Sequence, residues 1–278
     1  MALAVHLQNI WPAPDEDRML GSAMAYVYTS TEELIASVLG PDVTITVGYN
    51  AASTYATSAL ALEAFNSIGM LEGLIAAERA GSDVALVLCG NDPVLRPGRA
   101  ALNIPVVGIT ESAMLVACTL GRRFGVITMD EASVPLVEYN LESYGLRSRA
   151  VSYRPVRSPA FYEDMSRWFR DPEYLADSVI PRFEEVANGL IADGAEVIVT
   201  ACGGYVILPI AGHSHVTGTD VPIVDATLAG AHMSRLLGSL RRDFNVSTSK
   251  AGGYHNPLQD PGGAQLTQLL SGSRYPLG

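Results

Sequence analysis

Asp83-Val84-Ala85-Leu86-Val87-Leu88-Cys89-Gly90-Asn91-Asp92 and Glu196-Val197-Ile198-Val199-Thr200-Ala201-Cys202-Gly203-Gly204-Tyr205 are two versions of one pattern. In each, an acidic residue leads into a continuous apolar run bounded by turn residues, the pattern of a strand buried on both faces. Each run then reaches Cys-Gly, and the two cysteines lie 113 residues apart (202 − 89), close to half of the chain before its Gly/Pro-rich end. Ligands of open α/β sheets sit just outside the carboxyl ends of the strands. A cysteine at the last strand position therefore points into the usual binding crevice. Gly90 and Gly203-Gly204 let the backbone turn sharply and bring its amides close to a ligand.

The rest of the chain alternates strand and helix around these two units. Ala4 to Gln8 and the β-branched Val43-Thr44-Ile45-Thr46-Val47 read as strands. Between them Ser30-Thr31-Glu32-Glu33 has the hydroxyl and early acids of a helix start. Ser58 to Ala80 has helical periodicity with Gly81 as its stop. Ile104-Pro105-Val106-Val107-Gly108-Ile109, Arg123 to Thr128 and Val221-Pro222-Ile223-Val224-Asp225 read as further strands. Helices are expected over Glu111–Leu120, Ser133–Tyr144, Pro172–Asp193 and Ala226–Arg242. Such alternation implies parallel sheets covered by helices. From about Ser247 the chain turns Gly- and Pro-rich, and reads as an ordered arm on the body or a partner, or as a flexible end.

Composition agrees with a soluble small-molecule protein. Hydrophobic residues make up 48% of the chain and charged ones 17%, ample for buried cores. A net charge of −11 argues against a nucleic-acid or anionic-membrane surface, which needs a basic field. No stretch approaches the length of a spanning helix, and the first residues lack the basic region of a signal peptide. Cys89, Cys118 and Cys202 are too few and too scattered for a disulfide framework, so free thiols in a reducing cytoplasm are expected.

A single strand-end cysteine is usually packing material. The duplicated Cys-Gly context instead implies two lobes facing each other across a cleft, with Cys89 and Cys202 opposed. Inverting a carbon acid needs a base on one face and a proton donor on the other, and a thiol serves as either. A helix beginning soon after each cysteine would lower its pKa. Cys118, in the apolar run Ala113-Met114-Leu115-Val116-Ala117, reads as core. His213 and His215 read as a surface loop, because zinc needs three or four ligands and no second cluster is visible. Ser53 to Ser58 reads as a helix-capping loop. No GxGxxG after a strand and no Walker motif is present, which disfavours dinucleotide binding.

Cys89-Gly90-Asn91-Asp92-Pro93, Ile104 to Met114, Arg123 to Thr128, Gly194 to Val199 and Val221 to Asp225 together resemble the aspartate/glutamate/hydantoin racemase superfamily, closest to its hydantoin and allantoin racemases. The resemblance covers most of residues 80 to 240 and is weak before them. It implies two Rossmann-like lobes related by a pseudo-twofold, with lobe 1 formed by residues 1–115 and 226–246, lobe 2 by 116–225, and 247–278 as a C-terminal extension. It also implies a cofactor-independent racemase or epimerase, with no metal, acting on a small molecule; a homo-oligomer is expected. Cys89 and Cys202 fall on the family's catalytic positions. Asn9 resembles its substrate-contacting asparagine, Asn91 and Thr128 are expected to line the pocket, and Gly90 and Gly203 to offer backbone amides.

The chain departs from the family at two places. The usual Asn-Pro-Asn and hydroxyl after the first strand is here Gln8-Asn9-Ile10-Trp11-Pro12, so Trp11 is expected to enter the pocket. The family's Cys-Ala-Gly-Met is here Cys202-Gly203-Gly204-Tyr205, and the Cys-Thr-His of amino-acid racemases is missing, which favours a cyclic ureide over a free amino acid. Decarboxylases of the arylmalonate type and maleate-type cis-trans isomerases share this scaffold and remain alternatives. A thiol redox sensor or small-molecule-binding protein is the alternative from another class.

Overall fold

The computed structural model describes residues 2–13, 19–50, 60–155 and 161–254. In chain order the first half runs β1 (Leu3–Asn9), α1 (Met19–Leu39), β2 (Val43–Gly48), α2 (Leu60–Arg79), β3 (Val84–Leu88), α3 (Leu95–Ala101), β4 (Val106–Gly108) and α4 (Ile109–Leu120). The second half runs β5 (Phe124–Thr128), α5 (Val134–Ser143), β6 (Ala150–Pro155), α6 (Phe161–Arg170), α7 (Pro172–Tyr174), α8 (Ile180–Ala192), β7 (Val197–Thr200), α9 (Ile207–Ile210), β8 (Ile223–Asp225) and α10 (Ala226–Phe244). The strands form two four-stranded sheets in the orders β2-β1-β3-β4 and β6-β5-β7-β8. All pairings within them are parallel. The halves thus repeat one winding, and the two cysteines follow its equivalent strands β3 and β7.

The acid that opens each cysteine strand has the same task twice. Asp83 Oδ2 accepts the Ala4 amide at 3.0 Å, and Glu196 Oε2 accepts the Arg122 amide at 2.7 Å. Each anchors the entry of the neighbouring central strand, β1 or β5. The apolar residues of β3 and β7 are buried on both sides, as continuous hydrophobic strands require.

The halves meet through α4 and α10, which pack on each other; α4 also lies on β7, and α10 on β1 and β3. One continuous core joins Leu3, Leu86 and Ile109 to Val126, Val199 and Val224. The close crossing depends on small residues along α10, with Ala226, Ala229, Gly230, Ala231, Ser234 and Gly238 all buried. A Cβ at Gly230 would stand 2.8 Å from Ile109 Cγ2 and 3.2 Å from Ile109 Cα.

Several elements differ from their sequence reading. α1 begins at Met19, so Ser30 and Thr31 lie inside the helix and do not cap it. Inside the helix the Thr31 hydroxyl is satisfied by donating back to the Val27 carbonyl at 2.7 Å. The expected helix over Pro172–Asp193 contains a π-helical turn at Leu175–Val179 just before Pro181, whose missing N–H breaks the regular ladder. Strand β6 and helix α3 carry too little pattern to stand out in the sequence, whereas the sequence reading missed α6 although Phe161, Met165, Trp168 and Phe169 recur at helical spacing. Residues 53–58 lie outside the described residues. The tail resolves as an arm at least to Tyr254: Ser247 donates to the Asn103 carbonyl, and the Lys250 ammonium donates to the Arg99 and Leu102 carbonyls at the end of α3. Among the described residues no helix is long and apolar enough to cross a membrane.

Gly230→Ala tests the α4–α10 crossing. Alanine gains about 1 kcal/mol of helix propensity, but overpacking against Ile109 costs about 1–3 kcal/mol. A net loss of stability in urea melts is expected, whereas a gain would show that the crossing is loose.

Candidate active site

Cys89 and Cys202 come together at one pocket between the halves, lined also by Asn9, Trp11, Gly90, Asn91 and Gly203. The turns that carry the two thiols are built alike. In each, the amide two residues on donates to the sulfur: Asn91 N–H to Cys89, and Gly204 N–H to Cys202 Sγ at 3.4 Å.

The turns also touch. A Cβ at position 90 would lie 2.1 Å from the Ala201 carbonyl oxygen and 2.8 Å from Cys202 Cα. Only glycine permits this backbone-on-backbone approach, and it sets how near the two thiols stand. The Gly90 carbonyl is fixed from below by the Thr110 hydroxyl, which donates at 2.6 Å.

Beyond Gly90 the chain is strained, with Asp92 at φ 48° and Val94 at φ 55°. The left-handed region is costly for a β-branched valine. Asp92 holds the loop there. Its carboxyl accepts the Thr110 and Glu111 amides at 3.1 and 2.7 Å, and the Tyr144 hydroxyl at 2.8 Å. It occupies the space a side chain at Gly108 would fill, 2.6–2.7 Å from that residue's would-be Cβ. Burial pushes Asp92 up to about 7, against the pull of those hydrogen bonds. Asn140 adds a second tie across the halves by donating to the Asn91 carbonyl at 3.0 Å. The Asn91 side chain itself donates to Glu63 at 3.0 Å.

The expected lowering of the thiol pKa values is reversed. Burial pushes the Cys89 thiol well up, helped by the charges of Glu63 and Asp92. It pushes Cys202 up to about 12, with Asp130 and Asp225 adding to the effect. One turn amide on each sulfur is too weak an opponent. The element after Cys202 is a short 3-10 turn, Gly203–Val206, and a full helix dipole is not available there.

Of the residues read from sequence, Thr128 is the one the pocket leaves out. It is fully buried, and its hydroxyl donates to the Asp130 carbonyl at 3.0 Å. The next residue, Met129, takes a place in the wall instead. Trp11 does enter the lining, beside Tyr28 at a ring separation of 5.8 Å. His213 lies elsewhere, with Nε2 2.6 Å from Glu184, and fastens its loop to α8. Cys118 packs against the shared core, and His232 is exposed on α10.

The sequence reading missed Tyr28, Thr31 and Glu32, which line the pocket from α1. They sit at helical spacing, but placing a helix start at Ser30 hid their shared face. Glu32 accepts the Tyr49 hydroxyl at 2.7 Å, and burial pushes its pKa up. It is the one acidic side chain among the described lining residues, which include no lysine, arginine or histidine. Thr227 was missed too, although Val221-Pro222-Ile223-Val224-Asp225-Ala226-Thr227 parallels Ile104-Pro105-Val106-Val107-Gly108-Ile109-Thr110. Among the described residues, Asn9 Nδ2 and Thr227 Oγ1 are buried in the lining without a hydrogen-bond partner.

Two parallel α/β halves with a cysteine from each at a common pocket define the class of the racemase-type enzymes. The chain belongs to the Asp/Glu/Hydantoin racemase family, whose model matches residues 21–234. It is 33% identical over 198 residues to a hydantoin racemase of Rhizobium meliloti, a match covering 70% of this chain and 75% of that protein. A hydantoin racemase of Pseudomonas sp. (strain NS671) is 29% identical over 189 residues, covering 68% and 70%. In fold it is similar to allantoin racemase from Klebsiella pneumoniae, with a TM-score of 0.71 at 22% identity over 93% of this chain and 95% of that one.

Gly90→Ala probes the contact between the two turns. Relief of the clash requires the turns to part, and displacement of reacting groups by about 1 Å costs about 100-fold in rate. Turnover is expected to fall at least that far, with about 1–3 kcal/mol of stability lost. Unchanged turnover in a folded variant would show that the spacing does not matter.

Proposed function

We propose that this enzyme racemises a hydantoin- or allantoin-like substrate without a cofactor, using Cys89 and Cys202 as opposed acid and base. The observation that carries this reading is that both thiols, one from each half, line the same pocket. The family and the hydantoin racemase relatives support the substrate class. The pocket's acidic Glu32, with no basic residue among the described lining, also suits a neutral ring better than an amino acid or a malonate.

The chemistry follows from that arrangement. The ring carbon that bears the substituent carries a proton acidified by the adjacent carbonyl. One sulfur, as thiolate, takes that proton, and the electron pair moves onto the carbonyl oxygen as an enolate. The other sulfur, as thiol, returns a proton to the opposite face, which inverts the centre. The roles exchange for the other enantiomer. Nearby amides of the Gly90 and Gly203 turns offer dipoles to the developing charge.

Proton NMR in D2O with 5-substituted hydantoins and allantoin tests the reading. Loss of the ring C–H signal together with loss of optical rotation is expected. Cys89→Ser and Cys202→Ser should each abolish racemisation, each leaving proton exchange for one enantiomer only. Full turnover by Cys202→Ser would end the two-thiol mechanism. Carbon dioxide release from an arylmalonate, or fumarate from maleate, in place of exchange would assign the pocket to another reaction on this scaffold.

The raised thiol pKa values add a pH signature. Both thiols are protonated at neutral pH, and the base must be a thiolate, so the competent fraction grows as pH rises. kcat/KM is expected to climb about tenfold per pH unit from about pH 6 to 9 without a plateau. A flat profile over that range would mean that neither thiol acts as the base from its resting state.

A further inference from the structure

The second repeat, Ile104–Thr110 against Val221–Thr227, places a threonine at the second residue of α4 and of α10. In the first half that hydroxyl is occupied: Thr110 Oγ1 donates to the Gly90 carbonyl at 2.6 Å. In the second half the equivalent hydroxyl stands beside Gly203, 3.7 Å from the position of a Cβ there, and makes no hydrogen bond. Thr227 is fully buried and forms part of the pocket wall.

A buried hydroxyl without a partner destabilises the fold, and this one belongs to a residue of the wall that both thiols share. The surrounding donors at the start of α10 are already engaged. The Asp225 carboxyl accepts the Leu228 amide at 2.9 Å and also the Thr227 amide, while the Ala226 amide reaches Thr200 Oγ1 at 3.3 Å. The hydroxyl is what the start of this helix has left to give a ligand. A second described atom of the lining without a partner, Asn9 Nδ2 at the end of β1, is also a donor and comes from the opposite half. Two unspent donors from two sides match a ligand with two acceptors, such as the paired carbonyl oxygens of a cyclic imide or ureide.

We propose that Thr227 is a catalytic residue whose hydroxyl donates to the substrate carbonyl oxygen that becomes the enolate oxygen. The assignment rests on the racemase reading above. The hydroxyl keeps its proton throughout; its hydrogen bond shortens as negative charge gathers on the oxygen and relaxes when carbon is reprotonated. The same enolate forms from either enantiomer, so Thr227 keeps one role in both directions, whereas each thiol changes from base to acid.

Thr227→Val keeps the shape and removes the hydroxyl, and Thr227→Ser keeps the hydroxyl. The valine variant is expected to lose about 100-fold in kcat, with proton exchange in D2O slowed equally for both enantiomers and the slope of the pH profile unchanged. Its Tm should hold or rise, since a partnerless polar group is gone. The serine variant should stay within about tenfold of wild type. Calorimetric binding of a 5-substituted hydantoin should weaken about tenfold in the valine variant. Wild-type turnover by Thr227→Val, or a loss confined to one enantiomer, would overturn the assignment, as would a loss matched by a fall in Tm. A wild-type protein that binds the hydantoin without exchanging its proton would defeat the racemase reading alone, and the binding comparison would still decide Thr227. A wild type that neither exchanges nor binds would overturn both.

Discussion

The architecture turns on one contact, the Gly90 backbone against the Ala201–Cys202 backbone. Two chain turns from different sheets approach until no side chain fits between them. Almost everything nearby maintains that approach. Thr110 pins the Gly90 carbonyl, Asp92 holds the strained turn beyond it, and Tyr144 and Asn140 reach across from the other half. Further away, the small-residue face of α10 lets the helices between the sheets pack closely. A pocket with a thiol from each side follows from the approach of the turns.

The same closeness determines the electrostatics. Two sulfurs set in the pocket wall, Cys89 buried and Cys202 partly exposed, resist ionisation because desolvation and the carboxyls at Glu63, Asp92, Asp130 and Asp225 both disfavour the thiolate. A resting pair of neutral thiols is the consequence. The single turn amide on each sulfur favours the thiolate but does not overcome burial. On the proposed mechanism one of the two thiols must ionise, and the substrate carbonyl would then take up the charge as the enolate forms.

The duplication is informative because it is imperfect. Asp225 caps α10 from within its own strand, whereas the equivalent position of the first half is Gly108, and its place is taken by the Asp92 carboxyl arriving from the cysteine turn. That exchange ties the Cys89 turn to α4 and explains the left-handed Asp92. The two threonines diverge likewise, one locking a turn and the other left facing the pocket. A twofold scaffold thus carries two halves whose equivalent groups are bonded differently.

Much of this plan was legible in the residues themselves. Apolar runs between turn residues specified β3 and β7, and their shared Cys-Gly endings placed both thiols at strand ends, because strand burial and turn chemistry are local properties of the chain. The family resemblance rested on Cys89–Pro93 and on four further stretches between Ile104 and Asp225, and Asn9, Gly90, Asn91 and Gly203 followed from it to the pocket. Other features depended on distant neighbours. Thr128 resembled a pocket residue but faces inward to Asp130. The α1 wall was hidden because Thr31 satisfies its hydroxyl within a helix that its residue type favours capping. The direction of the thiol pKa shifts was misjudged because a helix start after each cysteine is suggested by the sequence, while the burial that outweighs it is not. Sequence determined which groups sit at the ends of the strands; tertiary structure alone decided how far water is excluded from them and which hydroxyl is left without a partner, because both depend on what packs against them from elsewhere in the chain.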